Sequence, residues 1–195
     1  MIFQGIIFDL DGVICSTDEY HYQAWKELAD REGIPFDRSV NNRLRGVSRM
    51  ESLEILLERA KRFYSQEEKE KMAAAKNTRY QELLREMTPA DLSPEVFETL
   101  ETLRKQGLKL AIGSSSKNTP LILDRLGLGG YFDAVSDGNN ITRSKPAPEV
   151  FLKAAEYLGL SPETCLVVED AVSGVEAAHR AGMKAAALGD AAKTG

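Results

Sequence analysis

The sequence predicts an α/β protein in which a parallel sheet has helices on both faces and carries a small helical domain inserted after its first strand. Short apolar runs alternate with helical segments over the second half of the chain, which is typical of a parallel sheet covered on both sides. The first two runs are separated by about 95 residues, whereas a simple crossover needs roughly a dozen. The hydrophobic fraction of 43% is enough for a packed interior.

Five apolar runs, each ending in small or polar residues, are predicted as buried strands at 6–10, 108–112, 134–137, 166–168 and 184–188. The helices between the later runs are predicted at 93–107, 147–159 and 173–182. The first of them has Ser93 and Pro94 as N-cap and first helical residue, and Gly107 as its end. This order of elements is Rossmann-like.

The long first crossover is predicted to be helical. A helix over 18–32 places Trp25 and Leu28 on one face, and two capping boxes predict further helices, from Ser48 to about residue 64 and from Ser65 to about residue 87. We therefore predict a catalytic core of residues 1–15 and 93–195 and a helical cap domain of residues 16–92.

Composition limits the partners and the compartment. The net charge of −5 and the pI of about 5.2 argue against nucleic acid and anionic membranes as partners. The two cysteines lack the spacing of a metal site, as expected for the reducing cytoplasm. Asp9 and Asp11 interrupt the N-terminal apolar run, so we predict neither a signal peptide nor a membrane span.

Carboxylates follow two of the predicted strands. Asp9 and Asp11, with Gly12 after them, end the first run, and Glu169 and Asp170 end the fourth. Each pair alone is also typical of a solvated strand end. Because ligands bind at the carboxyl ends of parallel strands, we expect the two pairs to converge and to repel each other unless a cation neutralises them. Oxygen ligands without histidine or thiolate favour Mg²⁺.

Possible phosphate ligands follow the other strand ends. Ser114 begins a serine-rich loop before a helix, where hydroxyl and N–H groups can bind phosphate, although such loops are also ordinary caps. Lys145 precedes a proline, which favours an extended backbone, although a lone lysine is usually solvated. Together with the carboxylates, these residues indicate phosphoryl transfer, with one carboxylate as nucleophile and another as general acid and base.

These residues resemble the four motifs of the haloacid dehalogenase superfamily, in their usual order, and the insert resembles its small helical cap. The shared positions are Asp9-Leu10-Asp11-Gly12-Val13, Ser114, Lys145-Pro146 and Glu169-Asp170. The resemblance implies that Asp9 accepts the phosphoryl group, that Asp11 acts as acid and base, and that Ser114 and Lys145 hold phosphoryl oxygens. It also implies Mg²⁺ bound by Asp9, the Asp11 main-chain carbonyl, Glu169 and Asp170.

Further motifs lie in the insert: Glu19-Tyr20-His21, Ala24-Trp25, Gly46-Val47-Ser48-Arg49, Ser52-Leu53 and Lys76-Asn77. Within the superfamily, these motifs resemble those of the β-phosphoglucomutases. That family interconverts β-D-glucose 1-phosphate and glucose 6-phosphate through an aspartyl phosphate and β-glucose 1,6-bisphosphate. The resemblance implies that Arg49 binds the non-reacting phosphate and that His21 and Lys76 link cap closure to Asp11. The full set of implied substrate-binding residues is His21, Trp25, Gly46, Val47, Arg49, Ser52, Lys76, Ser115, Ser116, Lys117 and Asn118.

Two alternatives stay open from the sequence: a sugar-phosphate phosphatase with the same nucleophile, and a non-enzymatic receiver-like module switched by phosphate. Members of the superfamily continue past Leu188 with another strand and a helix. We therefore expect one sheet edge and one face to lack their cover here. Small sugar phosphates are the expected partners, and we expect a monomer unless this uncovered face promotes association.

Overall fold

The computed structural model describes residues 3–44, 47–189 and 191–193. It divides into two compact units, Met1–Ser16 with Met87–Gly195, and Thr17–Glu86. The predicted helical cap domain, residues 16–92, ends six residues after the smaller unit, which ends at Glu86. That these residues act as a cap domain stays a prediction. The segment after Glu86 lies with the larger unit, where Arg125 Nε donates to the Met87 carbonyl at 2.8 Å.

The smaller unit consists of helices around its own apolar core. Trp25, Leu28 and Leu53 are buried there, because each lies on the inward face of its helix. The first helix ends at Gly33, whose left-handed φ of 66° closes the last turn at little cost. The helices of this unit are α1 (Asp18–Glu32), α2 (Arg38–Asn42), α3 (Arg49–Leu57) and α4 (Gln66–Leu84).

Both predicted capping boxes are confirmed. The Ser48 hydroxyl accepts from the Glu51 N–H while the Glu51 carboxylate accepts from the Ser48 N–H, and Ser65 and Glu68 make the same pair of bonds. These reciprocal bonds satisfy N–H groups that a helix start leaves without partners.

The end predicted for the helix that begins after Ser48 is wrong. It was expected near residue 64, but α3 ends at Leu57. The residues that would have formed the next turns are mostly exposed, and Phe63 is fully exposed, so another turn would bury little apolar surface. A further helix, α2, was not predicted; it has five residues and is capped by the Asp37 side chain.

The larger unit contains a five-stranded, fully parallel sheet in the order β3-β2-β1-β4-β5, so the predicted fold class is confirmed. The central strand β1 is buried at every residue and lies between β2 and β4. It ends at Phe8, two residues before the predicted end. The strands are β1 (Gly5–Phe8), β2 (Lys109–Gly113), β3 (Ala134–Ser136), β4 (Cys165–Glu169) and β5 (Lys184–Ala187).

The strand order reverses at β1, and this positions the site. The chain runs outward from β1 to β2 and β3, then returns to β4 on the other side of β1 and continues to β5. Right-handed crossovers in opposite directions place their helices on opposite faces, which opens a crevice at the carboxyl ends of β1 and β4. The helices of this unit are α5 (Pro94–Lys105), α6 (Thr119–Arg125), α7 (Glu149–Leu158) and α8 (Val172–Arg180).

The core of the larger unit lies under α7 and α8. Ile7 of β1 and Val167 of β4 pack there against Phe151 of α7 and Ala177 of α8, all four fully buried. These contacts hold β1 and β4 side by side, so the residues that follow the two strands have fixed positions. Of the helices in the described ranges, none combines the length and apolar character that crossing a membrane requires.

Candidate active site

Two strands that are distant in sequence bring acidic side chains together. The Asp9 N–H, directly after β1, donates to the Val168 carbonyl of β4 at 2.9 Å, which extends the pairing of the two strands to the edge of the sheet. Asp9, Glu169 and Asp170 each offer a carboxylate oxygen within 4.8 Å of the others. The convergence expected from the strand ends is therefore present in the structure.

Lys145 joins two of these carboxylates. Its ammonium donates to Asp9 Oδ1 at 2.6 Å and to Glu169 Oε2 at 2.7 Å, and all three residues are buried. Burial alone would lower the pKa of Lys145, but the charges of Asp9 and Glu169 outweigh it and raise that pKa above its usual value. Asp9, Lys145, Glu169 and Asp170 are called the carboxylate cluster below.

The carboxyl group of Glu169 has a raised pKa. Burial and the nearby Asp9 charge raise the pKa of its carboxyl to about 7, although Lys145 and a backbone N–H act in the opposite direction. Its other oxygen, Oε1, accepts from the N–H groups of Asp170 and Ala171 at 3.2 and 3.1 Å. These N–H groups lie just before α8, so the carboxylate also lies near the positive end of the helix dipole.

The donor set fits a divalent metal ion. Three carboxylates lie within reach of one another, and a doubly charged cation would relieve the repulsion from Asp9 that, with burial, raises the Glu169 pKa. The ligands are all oxygens, which suits hard ions such as Mg²⁺ or Mn²⁺.

Asp11 lies in the turn that follows Asp9. It forms an isolated backbone bridge with Cys15, and the Gly12 N–H donates to the Cys15 carbonyl at 2.7 Å. The pKa of the Cys15 thiol is raised by burial and further by the charges of Asp11 and Asp9, which is consistent with an unreactive thiol. Among the described residues, the Asp11 carboxylate does not belong to the group formed by Asp9, Glu169 and Asp170. If Asp11 binds the metal, we expect it to do so through its main-chain oxygen.

The serine-rich loop follows β2 and continues the strand pairing. The Ser114 N–H donates to the Ser136 carbonyl of β3 at 3.0 Å, and the buried Ser114 hydroxyl accepts from the Ser116 N–H at 3.2 Å. The Ser115 hydroxyl accepts from the Lys145 N–H at 3.4 Å, which ties this loop to the lysine segment.

The rest of this loop is braced by its own hydrogen bonds. The Ser116 hydroxyl accepts from the Asn118 N–H at 3.2 Å, and the Lys117 carbonyl accepts from the Asn139 side-chain amide at 3.0 Å. Asn118 is buried just before α6.

The smaller unit holds a second charged group. Lys76 of α4 is only 3% exposed, and its ammonium lies 2.9 Å from His21 Nδ1, 4.8 Å from the Trp25 ring centre and 4.5 Å from the Tyr80 ring centre. The His21 and Tyr80 rings stack with centres 4.0 Å apart. With Arg49, these residues are called the cationic cluster below.

The chemistry of Lys76 determines the state of His21. An ammonium can only donate, so Nδ1 must accept and the ring proton must sit on Nε2. Burial, then the charges of Lys76 and Arg49, lower the pKa of His21 well below its usual value, so the ring is neutral. Burial also lowers the pKa of Arg49. The charges that act on His21 are both positive, an environment that favours an anionic ligand.

The remaining predicted residues of this unit differ in position. Ser52 is buried, and Val47 is 37% exposed. Gly46 lies outside the described residues. Tyr80, whose hydroxyl donates to Thr17 Oγ1 at 2.9 Å, was not among the predicted site residues. Its position one helical turn after Lys76 could have indicated that it lies beside that lysine.

Comparison with known proteins places this geometry in a family. The sequence model of the haloacid dehalogenase-like hydrolase family matches residues 3–182 of this chain. The chain is similar to the β-phosphoglucomutase of Bacillus subtilis strain 168, with 44% identity over 95% of this chain and 83% of that protein. It is also 35% identical to a phosphorylated carbohydrates phosphatase of Thermotoga maritima, over 93% of this chain and 82% of that one.

A solved structure agrees. The crystal structure of β-phosphoglucomutase from Clostridium difficile superimposes with a TM-score of 0.90 at 39% identity, covering 97% of this chain and 86% of that one. The range matched by the family model, residues 3–182, includes both strand ends that carry the carboxylate cluster. The chain belongs to the haloacid dehalogenase-like hydrolase family.

Proposed function

We propose that the protein is a metal-dependent phosphomutase that interconverts β-D-glucose 1-phosphate and glucose 6-phosphate, with Asp9 as covalent nucleophile and β-glucose 1,6-bisphosphate as intermediate. The observation that carries the proposal is the cationic cluster. A phosphomutase must hold one phosphate while it transfers another, and this chain has positive charge in its smaller unit in addition to the carboxylate cluster.

The carboxylate cluster supports covalent catalysis by Asp9. Its carboxylate is buried and is held by Lys145, so it is pre-oriented and shielded from water, as an attacking group should be. Lys145 would then donate to the transferring phosphoryl oxygens, and Ser114 is proposed to hold another of them.

Two displacements follow from these roles. In the first, an Asp9 oxygen forms a bond to phosphorus, the bond from phosphorus to the sugar oxygen breaks, and Asp11 gives its proton to that oxygen. In the second, the other sugar hydroxyl attacks the phosphoaspartate, its proton passes to Asp11, and the Asp9 carboxylate is released. One proton moves each way, so the acid form of Asp11 is restored only by the second transfer.

The metal ion is proposed to bind to Asp9, Glu169 and Asp170, with the Asp11 main-chain oxygen. When bound, a divalent cation supplies charge neutralisation for the carboxylates and the phosphoryl oxygens. Mg²⁺ is the proposed ion, because the ligands are hard oxygens.

The cationic cluster supports a doubly phosphorylated intermediate. Arg49 and Lys76 supply positive charge, and neutral His21 supplies an N–H at Nε2; all three can bind phosphate oxygens. We propose that they bind the phosphate that does not react and that Trp25, Val47 and Ser52 contact the sugar. Ser116, Lys117 and Asn118 of the larger unit are proposed as further phosphate ligands. The similarity to the B. subtilis β-phosphoglucomutase is in line with this assignment.

A sugar-phosphate phosphatase is the second candidate, because the T. maritima phosphatase is also similar to this chain. It would use the same nucleophile and differ only in the group that attacks the phosphoaspartate, water instead of a sugar hydroxyl. The receiver-like module is disfavoured, because the matched family is one of hydrolases.

One assay separates the candidates. The purified protein would be incubated with Mg²⁺, β-glucose 1-phosphate and a catalytic amount of glucose 1,6-bisphosphate, and glucose 6-phosphate and inorganic phosphate would be measured in parallel. A mutase produces glucose 6-phosphate with little free phosphate. Phosphate release in step with substrate loss would instead identify a phosphatase and refute the mutase proposal.

A further inference from the structure

We propose that Gly174, in the first turn of α8, is a positioning residue for the metal site, because its missing side chain leaves the space in which the Glu169 carboxylate lies. The inference rests on the metal binding proposed above but not on the identity of the sugar. It assigns a role to a residue that itself has no group able to bind metal or substrate.

The geometry is a direct steric exclusion. A Cβ atom built on Gly174 would lie 2.0 Å from both Cδ and Oε2 of Glu169 and 2.4 Å from its Cγ. These distances are far below any normal contact between heavy atoms. Gly174 is also buried, so the carboxylate rests directly on the helix backbone, and any other amino acid at this position would have to displace it.

The displacement would break the contacts that hold Glu169. Oε2, one of the two atoms nearest to the added Cβ, accepts from Lys145 Nζ at 2.7 Å, and Oε1 accepts from the Ala171 N–H at 3.1 Å. Glu169 is 1% exposed, so the carboxylate cannot move into solvent without leaving the cluster. A shift of the side chain would therefore separate one of the three acidic groups from Asp9 and Asp170.

Backbone conformation does not explain a glycine at this position. Gly174 has no positive φ, unlike Gly12, so alanine could adopt its conformation. Helix propensity favours alanine over glycine by about 0.5–1 kcal/mol inside a helix. The intrinsic preference and the space requirement of Glu169 thus act in opposite directions, and this makes the residue testable.

The test measures metal binding without substrate. Mn²⁺ binding to the full chain would be followed by the loss of the free-ion EPR signal, and unfolding temperature would be measured in EDTA. We expect Gly174→Ala and Gly174→Ser to weaken Mn²⁺ binding by about 10-fold or more, which is usual when a residue that orients a metal ligand is substituted. Val172→Ala is the matched control, since Val172 lies in the same turn and is 55% exposed; its Mn²⁺ affinity should not change.

A double-mutant cycle identifies the cause. If Gly174 acts through Glu169, then Gly174→Ala should change Mn²⁺ affinity by less than about twofold in a Glu169→Ala background. If Gly174→Ala alone fails to fold, the same double variant should recover the fold, because the clashing carboxylate is gone.

Three results would overturn the inference: unchanged Mn²⁺ affinity in Gly174→Ala, an equal loss of affinity in both backgrounds, or a double variant that also fails to fold. Failure of the mutase assay with the Mn²⁺ results as expected would refute the proposed sugar chemistry and leave the role of Gly174 intact.

Discussion

The carboxylate cluster and the cationic cluster carry opposite charge imbalances. In the first, three carboxylates lie together, Lys145 pairs with two of them, and the pKa of Glu169 is raised to about 7. In the second, Lys76 and Arg49 act on one histidine, and the pKa of His21 is lowered. In both cases burial and nearby charges of the same sign disfavour the charged form of the side chain, so its pKa shifts toward the neutral form.

The difference indicates what each cluster binds. Charges of one sign predominate in each cluster, and buried like charges are unfavourable unless groups of opposite charge balance them. The carboxylate cluster suits a metal cation, and the cationic cluster suits a phosphate. Changes that remove charge should therefore have different consequences in the two regions.

The largest effect is expected from Asp9→Asn. An amide cannot attack phosphorus, so both mutase turnover and phosphate release should fall by about 10⁴-fold or more. Mass spectrometry of the wild type during turnover should detect one added phosphoryl group, and Asp9→Asn should show none. Asp30→Asn, on an exposed residue of α1, is the control; loss of activity there as well would indicate a general defect.

The next largest effect is a loss of stability, which we compare for a lysine-to-methionine substitution in each cluster. Lys145→Met leaves Asp9 and Glu169 buried without their cation, so the free energy of unfolding in EDTA should fall by about 3–5 kcal/mol. Lys76→Met removes a hydrogen bond to His21 together with a positive charge that disfavours protonation of that ring, so its cost should be smaller, about 1–2 kcal/mol. Chemical denaturation measures both.

Added Mg²⁺ should change the stability of these two variants differently. Mg²⁺ should restore stability to Lys145→Met but should not affect Lys76→Met beyond its effect on the wild type, since binding energy adds only where the ion binds. Lys71→Met, on an exposed side chain of α4, should match the wild type. Equal losses for Lys145→Met and Lys76→Met would remove the distinction between the clusters.

A smaller effect is expected from Arg49→Ala. Loss of one charge-assisted bond to the non-reacting phosphate is worth about 1.5–3 kcal/mol, so mutase turnover should fall by roughly 10- to 150-fold. Hydrolysis of a small phosphate ester, which has no second phosphate, should change little. If both activities fall alike, Arg49 does not bind the distal phosphate.

The smallest effect is a change in pH dependence at His21. The unfolded chain takes up a proton near pH 6.5, whereas folded His21 resists it because its pKa is lowered. The stability that this residue contributes is therefore lost as pH falls below about 6.5. In Lys76→Met the His21 pKa should rise toward its usual value, because one positive neighbour is gone.

Proton NMR of the His21 ring checks this, with exposed His179 as a reference in the same spectrum. A His21 pKa that is the same in Lys76→Met as in the wild type would mean that Lys76 does not act on the ring electrostatically.

Much of the architecture was predictable because it depends on local chemistry. The capping boxes at Ser48 and Ser65 and the alternating apolar runs express hydrogen bonding and periodicity within a few residues. The order of acidic, serine, lysine and acidic segments predicted which strand ends would matter, since parallel strands end at one edge. The end of α3 was missed because it depends on which residues of the smaller unit become buried.

The sequence by itself determined the elements, the parallel sheet and the residue types available at the strand ends. Only the tertiary structure decided that Lys145 would bridge Asp9 and Glu169, that Tyr80 would stack on His21, and that Glu169 would need a glycine at position 174. The physical reason is that periodicity and capping act over a few residues, whereas charge pairing and steric exclusion depend on distances between atoms that only the packing of distant segments sets.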